Sequence, residues 1–214
     1  MLGCDVAGGA LLVALWYLIF LRLNRKRGLR VLQWIEQALK DKGLIAGAKW
    51  LSASRMRVQL RLFESGFRQP SMLVQLLPRE TPLQWVATLL KRRRETLTFE
   101  SDLPYAPNFS LEVHSHRWCG RSRRKLVPDK NWTLSRIGPF VITSRSEWQR
   151  DIRSMVESTV NARDCNFMHV KFDRNTPHFS ATIPLTTLQP DSHLETDVFD
   201  ALKDLAAGAS ASRF

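Results

Sequence analysis

The pattern of apolar and polar positions divides the chain unevenly. An uncharged run, Val6 to Leu21 (VAGGALLVALWYLIFL), is closed by Arg22, Arg25, Lys26, Arg27 and Arg30. A helix crossing the ~30 Å hydrocarbon core of a bilayer takes about 20 mostly apolar residues. Leu2, Gly3, Cys4 and Leu23 extend the run towards that length, Asp5 falls near the outer interface, and Arg22 can snorkel its charge outward. The reading is a transmembrane helix over residues 6–23 behind a short external tail, 1–5. A cleaved signal peptide has its basic stretch ahead of the apolar one, whereas here the basic stretch follows. A buried helix of a soluble protein passes the same apolar test.

Beyond the anchor the periodicity shortens. Val31, Leu32, Ile35 and Leu39 recur at helical spacing, so residues 24–42 read as a basic juxtamembrane segment and an amphipathic helix. Gly28 is the expected break from the anchor, and Gly43 the expected residue after the helix end. The stripe has two uses: lying along the bilayer surface, or packing on a domain core. Ile45–Leu51 is a weak strand. Met56–Phe63 alternates cleanly, with Met56, Val58, Leu60 and Leu62 on one face and Arg57, Gln59 and Arg61 on the other. Met72–Leu77 is a third strand.

Thr81-Pro82-Leu83-Gln84 has the makings of a helix start: a capping Thr, Pro at the first helical position and Gln at the third. Trp85, Val86, Leu89 and Leu90 form its apolar stripe, and Lys91-Arg92-Arg93-Arg94 closes it. Thr96–Glu100 and Ser110–Trp118 read as strands, residues 119–139 as irregular chain, and Phe140–Thr143 as a short strand. A helix is expected from Ser146 through Val160, then a hairpin of Phe167–Phe172 and Phe179–Pro184. A last helix over His193–Ala207 is expected to end at Gly208, ahead of a flexible tail, 208–214. Strands joined by short turns favour an antiparallel sheet. The fold class is therefore α+β: an N-terminal single transmembrane helix, then a globular domain (43–207) with a mostly antiparallel sheet and helices packed on it.

Charge sharpens this picture. The net charge is +12, which favours an anionic contact: lipid headgroups, nucleic acid or an acidic protein. For a tethered chain, anionic lipid is the nearest such surface. Basic residues crowd the C-terminal side of the anchor, so the positive-inside rule puts the N-terminus outside and the domain in the cytoplasm, at the cell (inner) membrane. The two acceptor patterns, Asn108-Phe109-Ser110 and Asn131-Trp132-Thr133, are then inert. Three scattered cysteines, at 4, 119 and 165, imply no disulfide framework.

Little in the chain points to chemistry. On a strand, His114 and His116 share a face, and Cys119 follows closely enough to bend in as a third metal ligand. His169, His178 and Cys165 are the other soft candidates, with nothing in the sequence to bring them near. The Cys119 loop (CGRSRRK) lacks the Arg and the flanking His of a tyrosine-phosphatase loop. A Cys165–His169 thiol–imidazole pair straddles a helix-to-strand boundary. No phosphate loop, nucleophile elbow or helical His-Glu-x-x-His occurs.

The expected role is therefore non-catalytic: a membrane-anchored accessory or scaffolding domain that needs no cofactor and holds a protein partner at the membrane. Arg25, Lys26 and Arg27 would pin the juxtamembrane segment, and Arg117, Arg121, Arg123, Arg124 and Lys125 would carry anionic contact. One alternative is a metal- or thiol-dependent enzyme built on His114, His116 and Cys119. The other is a tethered nucleic-acid binder, in which the same basic stretch works with Trp118 and Trp132.

Overall fold

A computed structural model describes residues 2–63, 66–115, 132–137, 140–145, 167–187 and 194–211. It shows an α+β protein in which one long helix leads into a nine-stranded antiparallel sheet. Helix α1 runs unbroken over Leu2–Ala38, about 55 Å at 1.5 Å per residue. Residues 2–5 are thus helical, not a separate tail, and Gly28 is not a break. Gly28 is buried because the Trp50 indole lies against it: a Cβ built there would fall 2.4 Å from the ring. The glycine serves close packing, so the helix passes through it. The helix ends at Ala38. The turn that follows uses Asp41 in the left-handed region (φ 70°), while Gly43 opens the first strand.

The strands are β1 (Gly43–Trp50), β2 (Arg55–Leu62), β3 (Arg68–Gln75), β4 (Thr96–Asp102), β5 (Leu111–Ser115), β6 (Trp132–Ile137), β7 (Phe140–Arg145), β8 (His169–Phe172) and β9 (Phe179–Pro184). They lie side by side in the order β1-β2-β3-β4-β9-β8-β5-β7-β6. Helix α2 (Pro82–Leu90) interrupts the run between β3 and β4, and α3 (Leu194–Ala211) closes the described chain. Helix α3 passes through Gly208 to Ala211, in place of a flexible tail from 208. Ala206, Ala207 and Ala209 are strong helix formers, enough to carry one glycine that costs about 1 kcal/mol relative to alanine.

One face of the sheet builds the core. Met56, Val58 and Leu60 of β2 are buried with Met72 and Val74 of β3, Leu97 and Phe99 of β4, and Phe179, Ala181 and Ile183 of β9. The alternation read in Met56–Phe63 is thus the one the structure uses, with Arg55, Arg57, Gln59 and Arg61 exposed behind it. Trp34, Ile35, Ala38 and Leu39 of α1 join the same core, as do Val198, Ala201, Leu202 and Leu205 of α3. Of the two uses open to the stripe of residues 28–42, core packing is therefore the one adopted.

Two expectations need revision or lie elsewhere. Residues 132–137, read as irregular chain, form β6, which pairs with β7 and ends the sheet. Edge strands carry mixed polar sequence, and WTLSRI beside Gly138-Pro139 masks its period. The helix expected over 146–160 lies outside the described residues. The hairpin of β8 and β9 forms as expected, closing Phe172 against Phe179.

Candidate functional site

Two places on this frame bring functional side chains together: the end of the domain where α1 emerges, and the face of β5 and β8 turned away from the core.

Helix α1 has two surroundings along its length. Over Gly8–Ala38 it is long and apolar enough to cross a membrane. Leu11, Leu12, Val13, Leu15, Leu18 and Ile19 are exposed on its first half. A single inward row, Trp16, Phe20, Asn24 and Gly28, recurs every fourth residue and faces the domain. Trp16 Nε1 donates to the Arg79 carbonyl at 3.1 Å, and its ring meets Trp85 of α2 edge-on at 5.8 Å. One turn-pair further on, the Asn24 amide reaches the Leu77 carbonyl at 3.4 Å. The segment between β3 and α2 is thus held alongside residues 16–24.

Helix α2 begins as the sequence indicated. Thr81 accepts from the Gln84 N–H at 3.3 Å, with Pro82 in the first turn. Its end is a Schellman turn: Arg93 N–H bonds Thr88 O, Arg92 N–H bonds Leu89 O, and Arg92 is left-handed (φ 46°). The side α2 turns to the protein carries Trp85 and the buried Thr88. The outward side carries Leu83, Val86, Leu89 and Leu90. That is the reverse of an ordinary surface helix, and the stripe is not the core stripe its periodicity suggests.

The cations that follow the apolar run, Arg25, Lys26 and Arg27, divide. Arg27 bonds Glu95 at 2.7 Å, and Arg79 lies 3.6 Å from the same carboxylate. The Arg25 guanidinium stacks over the Trp50 ring at 4.1 Å. Lys26 is exposed. Of the three, then, two are engaged by the domain itself. Lys91, Arg92, Arg93 and Arg94 are exposed beside the apolar face of α2, and Arg55, Arg57 and Arg61 form a row on β2. Arg117, Arg121, Arg123, Arg124 and Lys125 lie outside the described residues.

At the second place, cross-strand register makes the neighbours. His114 of β5 faces His169 of β8, and Glu112 faces Lys171. The two imidazoles stack with centroids 4.4 Å apart and planes 15° from parallel. Glu112 Oε2 lies 3.5 Å from His114 Nε2, too long for a well-formed hydrogen bond. Both Nε2 atoms are buried with no hydrogen-bond partner. Glu112 is held below the usual carboxylate range by His114, and His169 and Lys171 add to this against the opposing effect of burial. Burial, with the charge of His114 adding, pushes His169 down to about 4, partly opposed by Glu112. His169 is therefore a buried imidazole held neutral at ordinary pH, stacked on His114.

Glu112, His114 and His169 offer three ligand atoms within 4.8 Å of one another. Two nitrogens and a carboxylate oxygen suit zinc or a similar divalent ion. A metal must lie in the plane of each imidazole it binds. Two near-parallel stacked rings cannot both meet that condition, so one must turn out of the stack. Of the sequence candidates, His114 is in the cluster, and His116 and Cys119 lie outside the described residues. Among the described residues the partner of His114 is His169, 55 positions along the chain. His178 is engaged elsewhere, its Nδ1 accepting the Leu103 N–H at 3.3 Å. The sequence signal for His169 was its place on a strand alternating with Val170; the strand order that sets it beside β5 left no trace.

No protein-family model matches this chain, and no curated protein matches it.

Proposed function

We propose that this protein is a single-pass, membrane-anchored accessory or scaffolding module. Its N-terminus lies outside the cell (inner) membrane, and its α+β domain is displayed at the cytoplasmic face, touching anionic lipid or an acidic protein partner. The observation that supports this most is the divided surroundings of α1. Its first half exposes a continuous apolar surface, and its second half is a core element of the domain. A helix of this kind attaches a domain to a bilayer without a linker. The exposed cations at 91–94 and on β2 supply the anionic contact that the net charge suggests.

Topology mapping tests the reading. A single cysteine at Leu44 should resist an impermeant maleimide in intact cells and react after permeabilisation. One at the N-terminus should react in both. Release of the chain by alkaline carbonate, or the opposite labelling pattern, would refute the anchor or its orientation.

A second reading is favoured by the buried, unpartnered nitrogens of His114 and His169. With Glu112 they would hold one divalent metal after a ring rotation, as a structural or catalytic centre. Calorimetric titration with zinc should give one site, lost in His169→Ala. Absence of binding, or binding that His169→Ala leaves intact, would end it.

A further inference from the structure

Helix α2 is fixed to α1 at a level that falls within the bilayer once α1 spans it. The run free of basic residues ends at Arg22, the first cation of α1. Trp16, which bonds the Arg79 carbonyl and touches Trp85, is six residues earlier, or about 9 Å along the axis. The hydrocarbon core takes about 20 residues, and the uncharged run of α1 between Asp5 and Arg22 is only 16 residues, Val6–Leu21. Trp16 therefore cannot be lifted into water without leaving the span too short. Whatever is bonded beside Trp16 goes down with it.

What is beside Trp16 is suited to that depth. Leu83 is 84% exposed and Leu90 80%, with Val86 and Leu89 about half exposed. Leu83, Val86 and Leu90 fall at i, i+3 and i+7, one face of the helix. Like the apolar row of α1, this face is exposed. Lys91, Arg92 and Arg93 stand at its end, exposed, where a helix in the headgroup region meets lipid phosphate. Interfacial amphipathic helices bury their apolar face about 5–10 Å into the headgroup–acyl boundary, which brackets the 9 Å offset.

We infer that α2 is a membrane-inserted interfacial helix. Leu83, Val86 and Leu90 enter the acyl region, and Lys91–Arg93 bind anionic headgroups. The bilayer surface is then contacted by two elements, α1 across it and α2 along it, and the domain has one fixed face towards the lipid. This rests on the anchor reading, and the two can be tested apart.

The experiment places a single nitroxide label on the full chain in vesicles of three parts phosphatidylcholine to one part phosphatidylglycerol. Cys4, Cys119 and Cys165 are replaced by serine, and labelled cysteine replaces Leu15, Val86, Leu90 or Leu44 in turn. Collision with oxygen against a water-soluble nickel chelate reads depth. The expected result is label 15 deep in the core, labels 86 and 90 below the phosphates by 5–10 Å, and label 44 in water. Labels 86 and 90 in water with label 15 in lipid would overturn the inference and leave the anchor standing. Label 15 in water would overturn both. Labels 86 and 90 shielded from both oxygen and nickel would show a protein covering α2, and would also overturn it.

Discussion

Ile35→Ala tests the claim that one helix serves two solvents. Ile35 is 0% exposed, packed in the core with Trp34, Ala38 and Leu39. The change removes two methylene equivalents and a methyl group. At about 0.8 kcal/mol per carbon, transfer alone amounts to about 2.4 kcal/mol. The cavity left between sheet and helix adds to this, giving about 3–4 kcal/mol, within the range of about 2–5 found for such truncations. Leu18→Ala is the matched control, five turns nearer the N-terminus and facing outward. In a micelle that side chain stays in apolar surroundings whether or not the domain is folded, so its loss should cost under about 0.5 kcal/mol. The assay is urea unfolding of the full chain in detergent, followed by tryptophan fluorescence. With a slope of about 2 kcal/mol/M, Ile35→Ala should lower the midpoint by about 1.5–2 M. A shift equivalent to less than 1 kcal/mol would refute the welding of α1 into the core. Equal shifts for the two variants would refute the division of the helix.

Other consequences can be checked on the same preparation. Gly28→Leu forces a side chain into the Trp50 ring and should destabilise by about 1–3 kcal/mol, with loss of the Arg25 stack visible as a change in Trp50 fluorescence. Arg27→Ala removes a 2.7 Å pair whose Arg side chain is 45% exposed. Its effect on unfolding should stay under about 1 kcal/mol, and a larger one would show that Glu95 depends on it. In chelator, acid should weaken the native state through His169, whose folded value of about 4 lies below the usual 6.5. The unfolded chain takes up a proton that the native one refuses, so stability present above 6.5 is lost progressively towards pH 4. The loss is at most about 3 kcal/mol, and His169→Gln should flatten that slope. Saturating zinc, if the cluster binds it, should raise the melting temperature in a concentration-dependent way; an unchanged temperature would refute the metal reading.

What could be read in the sequence was local. The alternation of Met56 to Leu62, the Thr81 cap and the hairpin joining Phe172 to Phe179 each depend on neighbours a few residues away, and each forms as its pattern indicates. The features that were hidden depend on distant partners. Gly28 carries the signature of a break, and its use is set by Trp50, 22 positions on. The stripe of α2 carries the signature of a core helix, but Trp16 and the Arg79 carbonyl decide which side faces in. His169 became a neighbour of His114 because β8 lies between β9 and β5, a strand order that no spacing in the sequence encodes.

The absence of a hinge in α1 has a mechanical meaning. A helix that is welded to the sheet at Ile35 and packed without a gap at Gly28 is a lever arm. The sheet extends nine strands from β1 to β6, about 38 Å at ~4.8 Å per strand. Helices tilt to match bilayer thickness. With the domain carried rigidly, a 10° change of tilt swings the far edge through about 7 Å on that span. If α1 spans a bilayer as proposed, the thickness of the lipid would be converted into the position of a protein surface, and a partner bound at that edge would be moved by the membrane itself.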